Sequence, residues 1–468
     1  MHHRHGEKSY DMKRNRFRAL ALVCALALVG AACGGDDDGD DSSTDTTEQA
    51  EETSSLLTDN GPCDEAEPKI EIGLITVIES PVLSLDDDAT ALEASVAAFN
   101  GRGGIGGRCM SLTVCDDEGD PNKEADCARQ LVDKGVVATL SDVTSFNPQA
   151  VIDIFKAAGI PRIAVSPATQ DLASDIAFPL DAGGVGTTFM MVPGCVSNGH
   201  TKIAAIHVDT PQIGPLFDAL GGMLKAYGAE IVAKLPVSAG TTDFQQFTLA
   251  AKKAGATCAI IPLGENEAVQ VLQAAQQLGT DLAFSGAVAS FSRKSLQGLG
   301  DFAEQIYMNS AFPPTTADHD RWPIYKDVLR DLEASGEPSM EADEMKQAAH
   351  RSWFAVYVFQ QIIEKFGDPQ DVTRASVMAA TKAAKDIDMF GVIPNWTPSA
   401  TTPIPNFKAI SNPWYYITSF KDGNFVVGDE QYHVINELIG QIEYPHDAED
   451  FAAAQATSTT AAPSTTGG

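Results

Sequence analysis

The first residues to weigh for chemistry are those whose type and spacing could hold a ligand or cut a bond. Gly101-Arg102-Gly103-Gly104-Ile105-Gly106 satisfies the GxGxxG pattern letter for letter. A dinucleotide site needs that pattern after a strand and opening a helix, so that the helix N-terminus meets the pyrophosphate. Here it follows a helical pattern and precedes a strand pattern, so the glycines read as a helix C-cap and turn. Two other loops are better placed. Asp142-Val143-Thr144-Ser145-Phe146-Asn147-Pro148 follows a strand pattern and opens a helix. Ser145 presents a hydroxyl where free helix N–H groups point outward, a ready carboxylate site; a plain N-cap serine is the competing reading. Ser166-Pro167-Ala168-Thr169-Gln170 follows the next strand in the same way. No GxSxG or HExxH is present, and His200, His207, His319, His350, His433 and His446 are scattered. A catalytic constellation is therefore not expected. Trp322, Trp353, Trp396 and Trp414 read as packing residues.

Cysteine usage and the first segment set the compartment. Lys13, Arg14, Arg16 and Arg18 precede an unbroken apolar run from Ala19 to Val29. That run falls short of the about 20 residues a bilayer span needs and fits the core of an export signal. Gly30, Ala31 and Ala32 lead into Cys33, like a lipobox whose cysteine becomes lipidated, although Gly30 stands where Leu is usual. The expectation is a signal peptide over 1–32 and a lipoprotein on the outer face of the membrane; simple cleavage is the alternative. His2, His3 and His5 would leave with the signal. Beyond Cys33 stand Cys63, Cys109, Cys115, Cys127, Cys195 and Cys258. An even number in an exported chain reads as disulfides, and six allow fifteen pairings. The absence of CxxC pairs and of nearby histidines argues against zinc.

These residues need a scaffold. The chain is too long, at 468 residues, for one ordinary core. Its formal net charge of −32 repels phosphate backbones and excludes nucleic acid as a partner; solubility explains the acidity better than a cationic ligand does. Residues 33–67 are so rich in acids and so poor in apolar side chains that a disordered tether is expected, without the spaced ligands of a calcium loop at Asp36–Asp41. A second disordered segment is expected over 452–468. Between them, Ile70, Ile72 and Leu74 alternate as in a strand, and Leu92, Val96 and Phe99 share a helix face. Strand patterns recur at Met110–Val114, Val136–Leu140 and Ile160–Val165, with helical patterns between. After Pro193 the rhythm restarts, with strands at Lys202–Val208, Ile231–Leu235, Ala256–Pro262, Ala283–Gly286 and Gln305–Asn309. This predicts two α/β lobes with parallel sheets, and a cleft at the carboxyl ends of their strands.

Ile70–Ile75, FNGRGGIGG at Phe99–Gly107, DDEGDP at Asp116–Pro121 and DVTS at Asp142–Ser145 follow one another in order. AGIPRIAVSPAT at Ala158–Thr169, TTDF at Thr241–Phe244 and FKDGNFV at Phe420–Val426 continue the series. Together they resemble the branched-chain amino-acid (Leu/Ile/Val) binding-protein family, the type I periplasmic binding proteins of ABC importers, over about residues 68–445. The resemblance implies two Rossmann-like lobes joined by a three-segment hinge. Lobe one spans 68–195 with a return segment at 311–410, and lobe two spans 196–310 with a return at 411–445. It implies a monomeric receptor without cofactor or metal that hands a small amino-acid-like or organic carboxylate ligand to an importer permease. A sensor of the same fold, or an exported α/β enzyme, is the alternative.

Carried onto this chain, the resemblance makes Ser145 the holder of the ligand carboxylate, beside Thr144, with Ala168 offering backbone groups and Thr169 its hydroxyl. Elsewhere the chain departs. Leu85 and Ile213 stand where the family has aromatics. Ala287 falls in the stretch that holds the ammonium-binding glutamate, leaving Glu265 as the one acid to replace it. These aliphatic departures favour a ligand less zwitterionic than leucine, since an unpartnered ammonium in a closed cleft is costly. Cys115 ends a strand and Cys127 lies on the next helix, while Cys63 and Cys109, and likewise Cys195 and Cys258, precede strands expected to be neighbours; the proposed pairings are therefore Cys63–Cys109, Cys115–Cys127 and Cys195–Cys258.

Overall fold

In the computed structural model the described residues are 55–78, 80, 84–209, 216–217, 220–221, 224–225, 227–402 and 407–433, the side chains of 429–433 excepted. The segments 1–32 and 452–468, Cys33 and Ile213 lie outside them.

The apolar alternation of the first third becomes a parallel sheet. Its strands are β1 (Ile70–Thr76), β2 (Met110–Asp116), β3 (Ala138–Leu140), β4 (Arg162–Ile163) and β5 (Ala177–Phe178), in the order β2-β1-β3-β4-β5. Helices α1 (Asp86–Gly101), α2 (Pro121–Lys134) and α3 (Pro148–Ala158) make the crossovers. Helix α2 is fully signalled in sequence. The Asp120 carboxylate accepts the N–H groups of Asn122 and Lys123, Pro121 fills N1, and Gly135 closes the helix at φ 80°. The GxGxxG stretch is the turn from α1 into β2. Gly104, at φ 60°, lies so close to its neighbours that a Cβ there would sit 2.1 Å from the Arg108 carbonyl oxygen.

The second sheet contains β6 (Lys202–Val208), β7 (Glu230–Val237), β8 (Cys258–Ile260), β9 (Ala283–Ala287) and β10 (Ile306–Ser310), all parallel. An antiparallel hairpin, β11 (Trp414–Lys421) and β12 (Asn424–His433), extends it to the order β12-β11-β10-β9-β8-β6-β7. Helices α5 (Gln245–Lys253) and α6 (Glu265–Gln277) cross over between its strands, and the short α7 (Arg293–Gln297) follows β9. Helices α8 (Ile324–Glu333), α9 (Gln347–Phe366) and α10 (Arg374–Ala383) return to the first sheet, where α8 and α9 pack against α1.

The disulfides are Cys63–Cys109, Cys115–Cys127 and Cys195–Cys258, with Cα separations of 5.2, 5.6 and 5.9 Å. All three expected pairings are present, at ordinary disulfide reach. Cys195 lies on a helix, however, and not on a segment leading straight into a strand.

Two expected boundaries move. Residues 55–67 are not tether: the Leu56 N–H donates to Asp327 at 2.9 Å, Cys63 is disulfide-bonded, and Asp64 bridges to Arg108. The bond to Cys109 and these long-range contacts offset the chain entropy that composition alone suggests would win. Helix α4 (Gly183–Val196), grouped by sequence with the first sheet, packs on β8, β9 and β10 of the second and is clipped to β8 by its disulfide. The chain therefore leaves the first sheet near Asp181, not at 195. Beside that passage the segment that leads into β11 is bonded to it: Ser411 Oγ donates to the Pro179 carbonyl at 3.0 Å and Asn412 Nδ2 to the Leu180 carbonyl at 3.1 Å.

Candidate functional site

Parallel sheets gather their loops at the carboxyl ends of the strands, and ligands bind there. The loops after β3 and β4 lie side by side, since Val143 bridges to Ser166 and the Ser166 N–H donates to the Asp142 carbonyl at 2.8 Å. Thr144, Ser145, Ala168 and Thr169 are thus brought to one edge, as the sequence suggests.

Beneath them lies a buried ionic knot. Arg162 points from β4 with its Nε 3.1 Å from Asp142 Oδ2, its Nη1 on Asp171 Oδ1, and its Nη2 donating to Thr144 Oγ1 at 3.0 Å. Asp142 also accepts the Ile75 N–H at 2.9 Å and the Thr139 hydroxyl. Arg162, Asp142 and Asp171 are all fully buried. One guanidinium is shared by two carboxylates, and burial raises both Asp142 and Asp171 above the usual carboxylate range despite the pull of Arg162.

This knot changes what the expected ligand residues can do. Thr144 is buried with its hydroxyl held by Arg162, so it supports the loop and does not face a ligand. The Ala168 N–H, expected to be open, donates to Asp171 Oδ2 at 3.0 Å. Thr169 is exposed and Ser145 half-buried. Ser145 is not the cap of α3 either: Asn147 is, and the N–H groups of Phe146 and Asn147 donate to Glu124 Oε2 at 2.7 and 3.0 Å. Glu124 is buried on α2, which pushes its carboxyl up to about 7. Asp117, buried in the loop after β2, is pushed by burial to about 6.

The second sheet contributes its own edge. Ala287 ends β9 and is buried. Glu265 opens α6, where its Oε1 accepts the Ser292 N–H at 2.7 Å. Lys346, at the N-terminus of α9, lies 2.6 Å from Asp87 on the first side and 3.6 Å from Glu265 on the second. Burial alone would raise Glu265, but the Ser292 hydrogen bonds and Lys346 outweigh it, and its carboxyl lies below the usual range. Glu265 is therefore already partnered and is not a free receiver of an ammonium. Leu85, half-buried, precedes α1, and its N–H donates to the Val77 carbonyl at 2.7 Å. Arg351 of α9 reaches Asp88 Oδ1 at 3.3 Å, and burial raises Asp88 to about 6.

Sequence reasoning missed Arg162, Asp171, Glu124, Asp88 and Lys346. Arg162 carried a signal: a lone base inside the apolar run Ile160–Val165 cannot be buried unpaired, so it demands acids nearby. Glu124 and Asp88 carried none, since acids in a first helical turn are ordinary.

Residues 69–422 match the family model described as periplasmic binding protein. The chain is similar to the Leu/Ile/Val-binding protein of Escherichia coli (strain K12), 22% identical over 317 residues, which covers 65% of this chain and 82% of that protein. Among solved structures it resembles a solute binding protein of an R. palustris ABC transporter in complex with 4-hydroxybenzoate, with TM-score 0.64, 17% identity, and 78% and 97% of the two chains covered. It also resembles the fatty acid ABC transporter substrate-binding protein from Thermomonospora curvata, with TM-score 0.67, 18% identity, and 83% and 97% covered.

Proposed function

This chain belongs to the periplasmic binding protein family, and on that premise we propose that it is the extracytoplasmic solute receptor of an ABC importer. Its ligand is a small organic molecule, taken between the two sheet edges and passed to a membrane permease. The observation that carries this reading is Lys346, which stands between Asp87 beside the first sheet and Glu265 beside the second. A single cation spanning both edges makes their approach energetically coupled, as a receptor that closes around its ligand requires. The chain passes between the lobes near residues 181, 311 and 411, and these are the hinge. The ligands named for its relatives, branched-chain amino acids, a fatty acid and 4-hydroxybenzoate, set the expected size and apolar character. The family is one of receptors, and the acids at this edge are tied to Arg162, Lys346 and backbone donors in a way that suits binding rather than turnover. The protein acts as a monomer, held at the outer face of the membrane by lipid on Cys33 after the signal segment is removed.

Mass spectrometry of molecules that co-purify with the native protein identifies the solute, and small-angle scattering with and without it tests the mechanism. The radius of gyration is expected to fall on binding. An unchanged scattering profile at saturation rejects lobe closure.

A further inference from the structure

The loop 144–147 is gripped at both ends by buried charged groups that come from other elements. At its start, the Arg162 guanidinium donates to Thr144 Oγ1 at 3.0 Å, and the Val143 N–H just before it donates to the Ile75 carbonyl at 3.0 Å. At its end, Glu124 Oε2 accepts the Phe146 and Asn147 N–H groups at 2.7 and 3.0 Å, and Asn147 Nδ2 donates to the Pro121 carbonyl at 3.2 Å. Helix α3 cannot supply this second grip itself. Its third residue is Ala150, where a capping box would place the Glu or Gln that reaches back to the N-cap N–H. Glu124 takes that place from α2, 23 residues away from Asn147. Ser145, between the two grips, is left free: among the described residues nothing accepts its N–H and nothing bonds its hydroxyl.

We propose that Glu124 is the positioning residue of this edge: without touching the solute, it fixes the loop 144–147 from α2, so that Ser145 meets the solute already in place. The inference rests on the receptor reading above and deepens it. Glu124 is fully buried and forms no salt bridge among the described residues. A buried carboxylate without a salt bridge opposes folding, so stability alone does not account for it. Its footing is rigid. The Asp120 carboxylate caps α2, and Cys127, one turn beyond Glu124, is disulfide-bonded to Cys115 of β2. A loop ordered before binding removes the cost of ordering it from the binding step, which is how a residue outside the contact surface raises affinity. The geometry also sets what residue 124 must keep. One oxygen, Oε2, serves both N–H groups, so the reach of the side chain matters and its charge is secondary.

The test compares the full chain with its Glu124→Asp and Glu124→Gln variants. The first variant keeps the charge and loses one methylene of reach; the second keeps the reach and loses the charge. The deciding readout is the backbone order of Ser145 in the solute-free protein, measured by nitrogen relaxation in NMR, since Ser145 makes no bond to Glu124 of its own. That order is expected to match the parent in Glu124→Gln and to fall in Glu124→Asp, with the order of β1 unchanged in both. The molecule that co-purifies with the parent, removed and titrated back, gives the second readout. Glu124→Asp is expected to weaken it by about tenfold or more, as loss of hydrogen bonds to a charged acceptor does, and Glu124→Gln by no more than about twofold. Undiminished order at Ser145 in Glu124→Asp overturns the proposal, and so does equal loosening in Glu124→Gln. A loss of order shared by β1 and Ser145 also overturns it, because Glu124 would then be a structural residue only. Failure of the receptor reading looks different: the order of Ser145 then still follows residue 124, while no solute changes the scattering profile.

Discussion

At the scale of single residues the buried charges dominate. Arg162 holds Asp142 and Asp171 without solvent, and removing one member of such a group strands the others. Arg162→Leu is therefore expected to destabilise the protein by about 3–5 kcal/mol in urea unfolding, because two carboxylates would remain buried with no cation. The combined change with Asp142→Asn and Asp171→Asn should recover much of that loss. Glu124 makes a pH prediction. Its folded value of about 7 lies above its ordinary 4.5. A raised acid favours the folded state when protonated, so its contribution is full below about 4.5 and is lost as pH rises through 7. Glu124→Gln keeps an acceptor for Phe146 and Asn147 while removing the charge. The variant should show a flatter melting temperature between pH 5 and 8 than the parent. A parallel pair of curves would mean that Glu124 is not the titrating group. Ser145 is half-buried in the loop after β3. Ser145→Ala should weaken binding of the native solute by about 1–3 kcal/mol in calorimetry, the range for a stranded polar partner; an unchanged affinity would make Ser145 a bystander.

At the scale of elements, α4 shows how packing overrides propensity. Its sequence begins Gly183-Gly184-Val185-Gly186 and contains Pro193, which is poor helical material. Yet a Cβ on Gly194 would lie 2.5 Å from Ser285 Oγ, and one on Gly186 2.5 Å from the Tyr415 hydroxyl. The glycines let the helix lie close against the second sheet, and its burial on β8, β9 and β10 outweighs their entropy cost. Gly194→Ala is accordingly expected to destabilise by about 1–3 kcal/mol through overpacking, although alanine is the better helix former. A gain in stability on thermal unfolding would show that Ser285 moves aside freely. The acids at the start of α1 and α2 illustrate the same division. Asp120 caps its helix in a way that spacing reveals, whereas Glu124, one turn on, turns inward to bond a loop 22 residues away.

At the scale of the whole molecule, a cluster of charged residues joins the two sheet edges. Arg293 pairs with Asp343, Lys294 with Glu344, and the Lys294 N–H donates to the Asp343 carbonyl at 2.9 Å. With Lys346 these join the start of α9, which packs beside the first sheet, to α7 and α6 on the second. Charge contacts at partly exposed sites are weak singly and are screened by salt. Lys346→Met should therefore shift the free protein toward an open form with a larger radius of gyration, and the parent should move the same way between low and high salt. Scattering that is identical for both proteins across the salt range would show that apolar contacts, and not this cluster, set the closure equilibrium.

Alternation, capping and cysteine usage along the chain were enough to determine the parallel sheets, their crossovers and the disulfide-bonded character, because these follow from local period, turn chemistry and cysteine count. Strand order then made the three pairings legible, since Cys115 and Cys127 bracket one loop while the other pairs join elements that the sheets bring together. The proposed ligand edge is legible in sequence only as two loops, those of Ser145 and Ala168, that the structure brings side by side, and not as chemistry. Whether the Ala168 N–H is open depends on Asp171, whether Asp171 is ionic depends on Arg162, and whether Arg162 has a second acid depends on Asp142 from a neighbouring strand end. Each link is a contact between segments whose distance in sequence says nothing of their distance in space. Burial then multiplies the energy of every such charge contact, so the tertiary structure alone decides which donors remain for a ligand.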